Sequence, residues 1–168
     1  MPEAWETFYL MVGSSAGALI GLLFVVVTLT GEIDPARATI AQRTFMSPTM
    51  FHFVTVLIIS CAAVVAILPA AAMTLAIAVP AVIGTVNSVA ALVQLSSGKL
   101  TAPHWTDYVY YGGLPTLCHL WLILVAWELW HGASFAPYGI ALGAMALLLL
   151  GIRDAWDLAT WLVYNKKG

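Results

Sequence analysis

The sequence is poor in charged residues, and this shortage excludes most classes of soluble protein. Only 8% of the 168 residues are Asp, Glu, Lys or Arg, whereas 62% are hydrophobic. A soluble domain usually carries charge on about a quarter of its residues. The chain lacks enough polar residues to cover itself in water, so lipid must form part of its solvent. The formal net charge of -2 gives no reason to expect a nucleic-acid partner.

Cysteines and reaction motifs are also scarce or missing. Cys61 and Cys118 lie inside apolar stretches and lack the spacing of metal ligands or of a redox pair. The chain contains no phosphate-binding glycine loop, no HExxH, no GxSxG and no CxxCH haem attachment site. Glu3 and Glu6 have the wrong sign for the start of a signal peptide. We therefore expect neither an enzyme nor a protein that depends on a metal or cofactor.

Long apolar stretches fill almost all of the chain. A transmembrane helix needs about 20 apolar residues. The apolar run from Met50 to Leu95 is too long for one span, so a tight helical hairpin is expected near Pro69. The predicted fold is therefore an all-α integral membrane protein, a single domain over residues 1–168 with a bundle of five transmembrane helices. The predicted spans cover about residues 8–30, 49–68, 71–95, 108–130 and 137–164.

The basic residues predict how this bundle is oriented. With five spans, all Lys and Arg residues except Arg153 fall on one side of the membrane, and four spans would destroy this asymmetry. Because basic loops remain in the cytoplasm, the N-terminus is predicted outside and the C-terminus in the cytoplasm, most simply in a cytoplasmic (inner) membrane. The residues on the basic side are Arg37, Arg43, Lys99, Lys166 and Lys167.

The loop between the first two spans carries two helix-start signals. Asp34 precedes Pro35 and Ser47 precedes Pro48, which is the pattern of a cap followed by a first-turn proline. Residues 36–46 between these signals are predicted to form a short interfacial helix on the cytoplasmic membrane surface.

Glycines at helical spacing predict close helix contacts. Gly13, Gly17 and Gly21 line one face of the first span, and Gly139 and Gly143 line a face of the fifth. Helices in lipid associate through close packing, which small residues permit. The partner of each face is either another span or another copy of the chain. Besides the lipid bilayer, we therefore expect a homo-oligomer held together through these glycine-rich faces.

The fifth span ends in the group of charges Arg153, Asp154 and Asp157. Arg153 and Asp157 have the i,i+4 spacing of an ion pair. Asp154 points about 100° away around the helix and needs another partner. Ionisable groups within a membrane are costly and usually face the protein interior or water. Three environments remain open for them: a polar cavity, a seam between subunits and the headgroup interface.

Other polar residues are predicted near these charges. His119 lies near the middle of span four, one turn after Pro115, which is expected to kink the helix. His52 on span two and Asn87 on span three lie in the same half as Arg153. The candidates for a polar pathway are therefore Arg153, Asp154, Asp157, His119, His52 and Asn87.

These patterns favour an oligomeric channel or transporter for ions or small solutes, with its polar cluster in the cytoplasmic half. The alternative is a non-catalytic accessory or scaffold subunit of a larger membrane complex, since the chain has neither a soluble domain nor a reaction motif. A third hypothesis is an intramembrane haem or pigment protein. For haem, His52 and His104 are the histidine pair at similar predicted depth.

Overall fold

The computed structural model describes residues 4–29, 47–65, 68–96 and 105–165. Within these ranges 94% of the residues are helical and no strand is present. Four helices are long and apolar enough to cross a membrane, and a fifth apolar helix is shorter. The prediction of an all-α protein suited to a membrane is therefore confirmed. The predicted interfacial helix at 36–46 lies outside the described residues, as do the five basic residues on which the orientation depends.

The helices agree with the predicted spans to within a few residues. The fourth is composite, with an α-helical turn at Trp105–Asp107, a π-helix at Tyr108–Gly113 and an α-helix at Leu114–Trp130. Gly132, with φ of 76°, ends this helix in the left-handed conformation that glycine adopts readily, so the next helix begins after a short turn. The helices are α1 at Ala4–Leu29, α2 at Ser47–Val64, α3 at Ala70–Ser96, α4 at Trp105–Trp130 and α5 at Ala136–Asn165.

Helices that follow one another in the chain run in opposite directions, whereas α1 and α5, which also touch, run in the same direction. Gly13, early in α1, packs against Ser60, late in α2, and the second half of α3 meets α4 where Gly84 lies against His119. At one end of the bundle the hydroxyl of Tyr9 donates a 3.4 Å hydrogen bond to the carbonyl oxygen of Pro137. We call this the Tyr9 end. The opposite end, where α2 begins and α5 finishes, is the Asp157 end.

The shortest helix, α2, occupies the centre of the bundle. It contacts α1, α3 and α5, and the side chains of Phe53, Val56 and Ile59 are fully buried. Because α2 has 18 residues and α5 has 30, the first residue of α2 starts deeper in the bundle than the helix ends around it. Residues near the start of α2 consequently lie close to the middle of the longer helices.

The glycines of α5 pack against another helix of the same chain. A Cβ added at Gly139 would meet Val125 of α4, and one added at Gly143 would meet Leu122 and Trp121. On α1, Gly13 packs against Ser60, whereas an added Cβ at Gly17 or Gly21 would meet no described atom within 4 Å. Of these five glycines, Gly17 and Gly21 are therefore the two that remain open to contact with another molecule.

Candidate functional site

The candidate site is a group of ionisable side chains where α2, α4 and α5 meet. We call it the polar cluster. His52 is 3% exposed, and His119 and Asp154 are fully buried. Three of its members come from α5, one from α2 and one from α4, so distant parts of the sequence are brought together. Its members are His52, His119, Arg153, Asp154 and Asp157.

Asp154 lies against α2. Its Oδ2 atom is 3.9 Å from Nε2 of His52, and its Oδ1 atom is 3.7 Å from Nη1 of Arg153. Neither carboxylate oxygen accepts a hydrogen bond from the described residues. The partner of Asp154 on another helix is thus His52, while Arg153 on the same helix is slightly closer, and both distances are longer than a hydrogen bond.

Asp157, one turn away, has much stronger contacts. Nη1 of Arg153 is 3.2 Å from Oδ2 of Asp157, which is the i,i+4 pair expected from the spacing. The same oxygen accepts a 3.0 Å hydrogen bond from the hydroxyl of Tyr111. The guanidinium carbon of Arg153 lies 3.5 Å from the centre of the Tyr110 ring, a close cation–π contact. Both charged side chains are about one-third exposed.

The π-helix in α4 places both tyrosines against this ion pair. Such segments are rare in α-helices and often occur at functional sites. This one ends just before Leu114 and Pro115, and proline has no N–H for a regular backbone hydrogen bond. The sequence predicts that Pro115 disturbs the helix here, but it does not indicate Tyr110 and Tyr111 as site residues.

His119 is held in one orientation. Its Nδ1 atom is 2.7 Å from the carbonyl oxygen of Pro115. Because a carbonyl only accepts, Nδ1 donates, and the neutral ring carries its lone pair on Nε2. Nε2 has no hydrogen-bond partner among the described residues. The ring edge lies where a Cβ of residue 84 would be, so only glycine at Gly84 lets α3 approach it.

The two histidines are closer than their sequence positions suggest. Their ring centres are 5.5 Å apart, with 35° between the ring planes. Spans of equal depth would put His52 in the cytoplasmic half of the membrane and His119 near its middle. The short α2 instead starts within the bundle and carries His52 to the level of His119.

Other sequence candidates lie elsewhere. Asn87 is exposed on α3, and Ser88 takes the adjacent buried position. His131 is near the Tyr9 end, where its ring stacks 4.5 Å from Trp127. His104, which the haem hypothesis paired with His52, lies outside the described residues.

The chemistry of the polar cluster is that of proton acceptors. Among the described residues, no group of three His, Cys, Asp or Glu side chains is placed to hold a metal ion. Imidazole nitrogens and a carboxylate without hydrogen-bond partners can instead accept a proton or a hydrogen-bonding solute.

No protein-family model, no curated protein and no solved structure matches this chain.

Proposed function

We propose that the protein is a small transporter or gated channel for ions or small solutes, with the polar cluster as its transport site. The observation that carries this proposal is the state of His52 and Asp154, which are buried while their polar side-chain atoms lack hydrogen-bond partners in the described structure. Buried polar groups are normally hydrogen-bonded, because an unmade bond costs stability. Polar side chains that only joined helices would be expected to form hydrogen bonds with one another. A transport site must bind and release its ligand, so its polar atoms remain available for the ligand when the site is empty.

The proposed topology has five membrane crossings. An α2 helix of 18 residues is about 27 Å long, close to the roughly 30 Å hydrocarbon thickness of a bilayer. The alternating directions of the helices agree with an odd number of crossings. If the basic residues of the sequence remain inside, the N-terminus is outside and the Asp157 end faces the cytoplasm.

The charged residues lead inward from that end. Arg153 and Asp157 are about one-third exposed, whereas Asp154 and His119 are fully buried and His52 is almost fully buried. This gradual loss of exposure is what a cytoplasmic entrance requires. We therefore assign the entrance to Arg153 and Asp157, and ligand binding to the deeper three side chains.

Apolar side chains separate the polar cluster from the Tyr9 end. Val56, Ile77, Leu122 and Leu147 are fully buried beyond the histidines on four different helices. A dry layer of this kind is a barrier to ions, as in pores that gate by dewetting. Transport by one chain therefore needs a movement that opens this layer and exposes the polar cluster to the other side.

Flux through purified protein in liposomes tests the proposal. A gradient of protons, alkali cations or chloride is imposed, and at least one species is expected to move faster than in empty vesicles. Asp154→Asn should lower this flux at least tenfold, because it removes the buried charge while keeping the side-chain size. Glu128→Gln, a matched change near the Tyr9 end, should leave the flux unchanged.

Two outcomes would contradict the proposal. The first is the absence of flux above empty vesicles for every species. The second is an Arg153→Ala variant that unfolds more easily but transports at the rate of the unchanged protein.

The alternative function, an accessory or scaffold subunit, has its own support in a surface groove between α1 and α2. The groove has a volume of about 440 Å³, and Gly13, Ser14 and Gly17 form one wall while Leu57 and Cys61 belong to the other. A second copy of the chain could also pack here through Gly17 and Gly21, whereas α4 already covers Gly139 and Gly143. Cross-linking in mild detergent separates the two: a reproducible foreign protein favours the scaffold, and a symmetric homo-oligomer favours transport.

A further inference from the structure

The charges of the polar cluster do not balance when both histidines are neutral. Arg153 contributes +1, while Asp154 and Asp157 each contribute -1, which leaves a sum of -1. Asp157 is compensated by Arg153 at 3.2 Å and by the Tyr111 hydroxyl at 3.0 Å. The uncompensated charge is therefore on Asp154, the most deeply buried of the three.

The groups facing Asp154 offer sites for one more positive charge. On α2, Nε2 of His52 is 3.9 Å from Oδ2, and neither ring nitrogen has a hydrogen-bond partner among the described residues. On α4, Nε2 of His119 carries a lone pair but lies against Gly84 of α3, and the hydroxyl of Tyr111 is already donated to Asp157. On α5 itself, the flanking charges are Arg153 and Asp157.

We propose that the ligand of the polar cluster is a single proton, shared between His52 and Asp154. Binding forms one N–H bond on the imidazole or one O–H bond on the carboxyl group, and the sum of charges rises from -1 to 0. Release breaks the same bond and restores -1. This inference rests on the proposed function, since it names the species that the transport site carries.

Charge and geometry limit the binding to one proton. A second proton would give the buried cluster a net charge of +1. With one proton on each histidine, two positive rings would lie 5.5 Å apart between apolar helices, where like charges repel strongly. The pair His52 and Asp154 therefore changes between two charge states rather than three.

The same geometry disfavours a metal cation. Hard cations require several oxygen ligands. Among the described residues, Asp154 supplies the carboxylate beside His52, because Oδ2 of Asp157 is engaged by Arg153 and Tyr111. Within the described residues, no three potential ligands come together around one metal position.

Proton uptake by purified protein in detergent tests this inference without any transport step. An indicator dye counts the protons bound when the pH is lowered across about pH 8 to pH 5, the range around the ordinary pKa of histidine. Asp154→Asn is expected to bind one proton fewer than the unchanged protein. Glu128→Gln serves as the control and should match the unchanged protein.

A second variant covers the case in which Asp154→Asn fails to fold. His52→Gln removes the other partner, so the proton concentration at half-uptake should change at least tenfold. Infrared spectroscopy then shows where the proton lies, because a carbonyl stretch of a protonated carboxyl group that is absent in Asp154→Asn belongs to Asp154. Equal uptake in all variants would overturn the inference.

The ionic conditions separate a proton from other cations. Uptake is measured in sodium chloride and again in choline chloride at the same ionic strength. Equal uptake supports the proton, whereas uptake that sodium suppresses identifies a sodium site and overturns the inference. Proton uptake without flux in liposomes would support this inference and reject the proposed function. Flux without proton uptake would support the proposed function and reject this inference.

Discussion

Two aspartates one turn apart on α5 have different environments. Asp157 is partly exposed and is compensated by Arg153 and Tyr111, whereas Asp154 is fully buried and accepts no hydrogen bond from the described residues. In a lipid environment the first arrangement stabilises helix contacts modestly, and the second costs stability. This difference supports the proposal that Asp154 binds the ligand, while Asp157, held by Arg153 and Tyr111, lies at the proposed entrance.

The hydroxyl of Tyr111 should contribute measurably to stability. Tyr111→Phe removes its 3.0 Å hydrogen bond to Asp157 and keeps the ring. Polar contacts between membrane helices are worth about 0.5–1.5 kcal/mol, so we expect a loss of that size in the free energy of unfolding. Denaturant titration in detergent measures it.

The control for this change is Tyr138→Phe on the exposed face of α5, where the ring packs edge-on against Trp5. Tyr138→Phe should lower the free energy of unfolding much less than Tyr111→Phe does. Equal losses in both variants would show that the Tyr111 hydroxyl has no special part in holding the ion pair.

Among the helices, α2 and the π-helix of α4 decide the geometry of the site. The short α2 brings His52 to the level of His119, and the π-helix brings Tyr110 and Tyr111 to one ion pair. In a regular α-helix these adjacent tyrosines would point about 100° apart. Local irregularities in two helices thus build the site.

The close packing of α4 and α5 gives a test at this scale. Gly143→Ala places a methyl group close to Trp121 and against Leu122, which is fully buried and has little room to move. We expect a loss of about 1–3 kcal/mol in the free energy of unfolding, the usual cost of overpacking. A fall in the thermal unfolding midpoint in detergent checks this.

Gly21→Ala is the matched control on α1. A Cβ there meets no described atom within 4 Å, and alanine favours a helix by up to about 1 kcal/mol over glycine. The variant should be as stable as the unchanged protein or slightly more stable. A marked loss would mean that another molecule covers the α1 face, as a homo-oligomer through Gly17 and Gly21 would require.

For the whole molecule, the decisive property is that the polar and apolar parts of its buried interior are separated along the bundle. The polar cluster extends from the Asp157 end to the middle, where His52 and His119 lie, and buried apolar side chains of four helices separate it from the Tyr9 end. In the proposed function, the entrance is at the Asp157 end. An arrangement of this kind has one entrance at a time. It is suited to a protein that alternates between two states more than to a permanently open pore.

The proposed five crossings place the two termini in different compartments. Reporter proteins that are active only inside or only outside the cell, fused to each end, should give opposite results. Activity of the same reporter at both ends would reject the odd number of crossings, and with it the assignment of the Asp157 end to the cytoplasm.

The sequence by itself determined the all-α fold, the approximate helix bounds and the pairing of Arg153 with Asp157. These features depend on apolar length and on spacing within one helix, which are local. The sequence also predicts that Asp154 has a partner, but it does not identify the partner residue.

Only the tertiary structure decided that His52 is this partner, that His119 lies beside it, and that Asn87 faces outward. It also decided that Gly139 and Gly143 pack within the chain while Gly17 and Gly21 remain uncovered. The reason is that these facts depend on how helices of unequal length are offset and rotated against one another. Composition and periodicity fix which residues share a helix face, but the depth at which two faces meet is set by packing alone.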